Sequence, residues 1–181
     1  MKHNKIRKDI IQNFAMWTAL SSTRSGCPIK ARKDIYSLLE KRFDRILSDT
    51  TKIEEEEFNE WHEKNVKSLV KKKIRKKKSG LPLIWAAKII NIYLKTAVYL
   101  GGLGNSKLIE FIHPPIDSEL LKVLKKEVGK EIFYEKIGKF EKMVDIKTYN
   151  DYKKVILGIK ELINNKYLLI EIEQFWQSTG D

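Results

Sequence analysis

Lys88 and Asp117 are the two residues whose types and setting could carry covalent chemistry. Lys88 sits inside an apolar run from Leu81 to Leu100, whose polar exceptions are Lys88, Asn91, Lys95 and Thr96. At about 100° per residue on a helix, Lys88, Asn91 and Lys95 fall within one narrow arc. A helix that is apolar nearly all round belongs inside a protein, and a lysine buried there is costly unless paired or neutral. Desolvation favours the neutral amine, which is a nucleophile able to form a Schiff base. Asp117, in His113-Pro114-Pro115-Ile116-Asp117, follows 29 residues later and supplies a candidate carboxylate. It could stabilise a developing cation and orient the amine, and as an N-cap it would accept backbone N–H bonds. The alternative reading is a structural ion pair, or a lysine that snorkels to the surface.

The elements that must position this pair read as helices. Ile6, Ile10, Phe14 and Trp17 share one helical face, and a loop rich in Ser and Gly follows around Arg24. Ile35, Leu38, Leu39, Ile46 and Leu47 mark a second helix. Asp49-Thr50-Thr51 offers caps, with Thr51 and Glu54 spaced as a capping box for a third helix buried through Phe58, Trp61, Val66 and Leu69. Gly101-Gly102-Leu103-Gly104-Asn105 lacks a P-loop lysine and reads as a C-cap and loop. Asp117-Ser118-Glu119 opens a helix through Leu120, Leu121 and Leu124, and less regular helical stretches cover Glu131–Met143. Thr148 caps a helix that Asn164-Asn165 ends, and the tail from Leu168 to Trp176 fits helical spacing or a short strand. The expectation is a mainly α protein: a single compact multi-helix domain over residues 1–181, with a basic tract 71–78 and a buried helix 81–100.

Charge points to a partner. The formal net charge is +12 on 181 residues, with 42% apolar and 33% charged residues. Such a balance fits a globular chain facing a polyanion, most often nucleic acid. The third helix opens on Glu54–Glu57 and ends in Lys71, Lys72, Lys73, Ile74, Arg75, Lys76, Lys77 and Lys78, of which seven of eight are cationic. The helix macrodipole accounts for the acidic start but asks for far fewer cations at the end. The tract runs on into Ser79 and Gly80 at the next helix start, where an anion is favoured, so a bound phosphate would fit there. Arg24 is either a further phosphate contact or a surface arginine. One cysteine excludes an internal disulfide and a Cys-rich zinc site, and the three histidines lack ligand spacing, so neither metal nor other cofactor is expected. The run 81–100 is long enough to span a bilayer, but Lys88 and Lys95 inside it argue against a membrane. With no signal-peptide pattern at the start, a cytoplasmic location is expected.

Trp85-Ala86-Ala87-Lys88-Ile89 followed by His113-Pro114-Pro115-Ile116-Asp117 resembles the helix-hairpin-helix DNA glycosylase/lyases, and within them the archaeal 8-oxoguanine glycosylase branch. The likeness covers residues 79–121. It implies DNA repair by base excision: Lys88 attacks the sugar C1′ and forms a Schiff base, while Asp117 opposes the oxocarbenium charge. The substrate base would be flipped from the duplex into a pocket. Trp85 or Trp17 could stack on it, and Asn91 and Lys95 could line the pocket or touch phosphate. The alternatives are a non-catalytic DNA- or RNA-binding module, of regulatory, phage or defence type, in which Lys88–Asp117 is structural, and an adaptor docking an acidic protein.

Overall fold

The computed structural model describes residues 2–24, 26–27, 32–39, 42–48, 53–72, 80–164 and 166–175. The protein is mainly α. Among the described residues the helices are α1 (Lys2–Ser21), α2 (Arg32–Leu39), α3 (Glu55–Lys71), α4 (Leu83–Leu94), α5 (Leu108–Phe111), α6 (Ser118–Val128), α7 (Lys130–Lys136) and α8 (Tyr149–Ile163). A π-helix, Lys95–Leu100, continues α4, and a 3-10 helix, Leu169–Phe175, closes the described chain.

Helix α4 is the axis. Nine of its residues are buried, as its composition requires; Lys88 is among the few that reach the surface. The 18 residues Leu83–Leu100 are long and apolar enough to cross a membrane by length and composition, yet most of the segment is buried inside this fold. Two helices flank it, both antiparallel. Along α1, the Arg7 guanidinium donates to Gly101 O at 3.2 Å, and Thr18 and Thr96 share a hydroxyl bond at 3.1 Å. Along α3, Leu81 N–H donates to Leu69 O at 3.3 Å, so the end of α3 meets the start of α4. Gly80 makes that junction possible: a Cβ there would lie 2.1 Å from Val70 O and 2.7 Å from Lys72 O. Helix α8 runs antiparallel to α3, tied at its two ends by Tyr149–His62 and Lys160–Glu55. Helices α6 and α7 form a hairpin through Gly129, at φ 82°.

Three expectations are corrected. The α1 face of Ile6, Ile10, Phe14 and Trp17 points to solvent, with Trp17 57% exposed. What α1 buries is Ala15 and Ala19, because two helices that approach closely need small residues between them. The second helix stops at Leu39; residues 42–48 form turns, and Phe43 stacks on Tyr93 at a 3.7 Å centroid separation. Reaching that partner takes the chain off the helical path. The cap of α3 is Glu54, whose N–H donates to the Glu57 carboxylate at 3.3 Å. Asp49, Thr50, Thr51, Asn165 and Trp176 lie outside the described residues. The tail from Leu169 to Phe175 is 3-10 helix rather than strand.

Candidate active site

Helix α4 and the N-terminus of α6 bring Lys88 and Asp117 together. Lys88 Nζ lies 3.0 Å from Asp117 Oδ2, with the two side chains 12% and 17% exposed. The other carboxylate oxygen, Oδ1, accepts the Leu120 N–H at 2.9 Å, so Asp117 is the N-cap of α6. The carboxylate is thereby held at both oxygens by different elements. The Pro114-Pro115 segment forces extended backbone into the cap, and Asp117 itself is extended at φ −136° and ψ 175°. Trp85, buried and three residues before Lys88, presents its ring 5.5 Å from Nζ. An ammonium between an indole and a carboxylate is stabilised by both.

A second pair stands beside the first. Lys95, at the start of the π-helix, binds the Glu173 carboxylate of the 3-10 helix. Burial pushes the Glu173 carboxyl up, and Lys95 pulls it back down. Glu173 also feels Asp117 as a repelling charge and Lys88 as an attracting one, so the two pairs lie within electrostatic reach of each other. A cleft of about 470 Å³ opens on the Lys95–Glu173 side, walled by Tyr99, Leu100, Tyr167 and Ile170. Tyr99 donates its hydroxyl to Glu171 at 3.1 Å, and that bond raises the phenol above its usual range.

Asn91 lines no such opening. It is fully buried and fully bonded. Its amide nitrogen donates to Pro114 O at 2.9 Å and to the Tyr152 hydroxyl at 2.8 Å, and its Oδ1 lies 2.8 Å from His62 Nε2. His62 Nδ1 lies 2.8 Å from the Tyr149 hydroxyl, and His113 Nδ1 lies 3.0 Å from that of Tyr152. One proton assignment satisfies the whole chain with both imidazoles neutral. Tyr149 donates to His62, His62 to Asn91, Asn91 to Tyr152, and Tyr152 to His113. Burial favours this state, lowering His62 to about 4 and His113 well below its usual value. It raises the Tyr149 and Tyr152 phenols for the same reason.

The remaining sequence candidates are dispersed. Trp17 stands on the outward face of α1, stacked on Phe14 at 5.7 Å. Lys71 and Lys72 are exposed at the end of α3. Gly80 is buried against that end. Arg24 closes a 3-10 turn after α1, and its side chain lies outside the described residues. Lys73, Arg75, Lys76, Lys77, Lys78 and Ser79 also lie outside them. Among the described residues no cluster of three His, Cys, Asp or Glu side chains could hold a metal ion.

Sequence reasoning missed His62, Tyr149, Tyr152 and Glu173. His62 carried a signal: it falls on the buried stripe of Phe58, Val66 and Leu69, and a histidine on an apolar stripe needs buried partners. Tyr152 sits likewise among the buried residues of α8. Glu173 is 78 residues from Lys95 and carried none. No protein-family model matches the chain, and no curated protein or solved structure matches it.

Proposed function

We propose that this protein binds DNA and excises a base, with Lys88 as the nucleophile and Asp117 as its charged partner. The observation that carries the reading is the 3.0 Å contact between Lys88 Nζ and a carboxylate already fixed as a helix cap. Base excision of this kind needs one amine and one anion at the same sugar carbon. The Lys88 amine, having lost one proton, would form the Nζ–C1′ bond as the C1′–base bond breaks. The departing base takes the bonding pair and a proton. Ring opening then gives a protonated imine, and water returns the free amine. Asp117 would oppose the positive charge that grows at C1′. Phosphates would be met by Lys71, Lys72 and the tract through Lys78, consistent with a net charge of +12.

Borohydride trapping on oligonucleotides carrying abasic sites or damaged bases tests this. The wild type is expected to trap, and Lys88→Gln to lose trapping while still binding DNA. Asp117→Asn isolates the charge, because asparagine caps a helix about as well as aspartate. It is expected to slow base removal by about a hundredfold or more, the scale of losing one charge stabiliser. The rival reading, a non-catalytic nucleic-acid-binding module, is favoured by the closed state of the pair: both ions are satisfied without any ligand. A folded wild-type protein that binds DNA but traps on no substrate refutes the enzyme reading and leaves the module.

A further inference from the structure

We infer that Asn91 is a positioning residue for the Lys88–Asp117 pair, holding the segment that carries Asp117 against the helix that carries Lys88. The inference deepens the enzyme reading and rests on it for its functional meaning, although the geometric role stands by itself.

The argument is one of two parallel ties. Asn91 is three residues after Lys88 on α4, and Pro114 is three residues before Asp117. Lys88 bonds Asp117 through side chains at 3.0 Å, and Asn91 bonds the Pro114 carbonyl at 2.9 Å. The same two elements are therefore joined twice, once at the partly exposed pair and once in the interior. Proline supplies no N–H of its own, so the segment at Pro114-Pro115 has little regular backbone bonding to hold it. Its neighbour His113 is held by the Tyr152 hydroxyl, which also accepts from Asn91. Helix α8 thus braces both sides of the interior tie. A buried amide bonded at every atom has one low-energy placement, because any rotation strands a polar group without water. The ion pair, at the edge of the interior, is thus backed by a tie that solvent does not reach.

The test is a double-mutant cycle read by equilibrium unfolding. Lys88→Met, Asp117→Asn and their combination give the coupling between the two charges, first in the wild type and then in Asn91→Ala and Tyr152→Phe backgrounds. Tyr152→Phe removes one hydroxyl and keeps the ring. Asn91→Ala is the stronger perturbation, and Tyr152→Phe carries the test where that variant does not fold. Val155→Ala, on the same helix and equally buried, controls for destabilisation without loss of a tie. In the wild type and in Val155→Ala we expect a coupling factor of about tenfold in the unfolding constant, falling to about threefold or less in Tyr152→Phe. A coupling factor that stays unchanged in Asn91→Ala, or in Tyr152→Phe where Asn91→Ala does not fold, overturns the inference. Trapping adds an independent arm: Tyr152→Phe is expected to lower the turnover of abasic DNA with little change in KM. If the wild type traps nothing, the enzyme reading fails, and the unfolding cycle still decides whether Asn91 sets the pair.

Discussion

Mild acid is expected to destabilise this protein through its interior histidines. His62 is fully buried, and burial depresses it from 6.5 to about 4. In the unfolded chain it would titrate near 6.5. Between those values the unfolded state holds a proton that the native state lacks, so stability falls as pH falls. The full contribution, present at neutral pH, is about 3 kcal/mol, of which about 2 kcal/mol is lost by pH 5 or so. His113 shifts in the same direction, from burial and from the neighbouring His62. Glu173 opposes them: its raised carboxyl stabilises the native state as pH drops. Glu141 and Asp151, both lowered, lose their contributions only below the ordinary carboxylate range. The histidine window therefore stands apart from acid denaturation by surface carboxylates. Denaturant unfolding followed by tryptophan fluorescence between about pH 7.5 and about pH 5 reads it, with a slope up to about 1.4 kcal/mol per pH unit for each histidine. His62→Gln should be less stable at neutral pH and should lose most of one histidine's slope. Parallel pH profiles for the wild type and His62→Gln would refute the reasoning, because they would mean that His62 is not held neutral by the fold.

Two further outcomes follow from charge and close packing. Replacing Lys76, Lys77 and Lys78 with serine should weaken DNA binding for all sequences and lower the slope of log affinity against log salt by about 0.9 per lost phosphate contact; an unchanged slope removes the tract from the interface. Gly80→Ala should lower Tm markedly, since the new Cβ would meet the Val70 and Leu69 carbonyls at 2.1 and 2.6 Å and the junction of α3 with α4 would have to open; thermal melting checks it, at about 2–4 °C per kcal/mol for a chain of this size.

The pair was legible in the sequence because both of its signals are local. A lysine in an apolar run and an aspartate after two prolines at a helix start can each be read within a few residues. Thr148 was legible as a cap for the same reason, and it accepts from Asp151 N–H at 3.1 Å. The buried hydrogen-bonded network of His62, Asn91, His113, Tyr149 and Tyr152 was not legible. Its members come from α3, α4, the His113-Pro114 segment and α8, and only packing makes them neighbours. Asn91 illustrates the limit: its phase relative to Lys88 was right, but helical phase does not say which side of a narrow arc meets solvent. The stripe on α1 fails in the same way. Its period identified a helix, while the requirement for small residues against α4 decided which face was buried.

Among the described residues, constraints from different elements act on different atoms of Asp117 and its segment. Leu120 N–H holds Oδ1, Lys88 holds Oδ2, and Asn91 holds the chain three residues upstream. Removing one leaves others in place, so the loss of geometry should be graded rather than all-or-none. The charge at Oδ2 is different, because it is the carboxylate in contact with Lys88 Nζ. A site built this way separates placement from chemistry. Placement is shared among a cap, an ion pair and a buried amide; the charge belongs to one carboxylate and the amine to one lysine. Variants of the buried amide and of the residues around it should therefore change rates by modest factors, while Lys88→Gln should remove covalent trapping and Asp117→Asn should slow base removal by about a hundredfold or more. Equal losses from both sets would mean that the pair is only another structural tie.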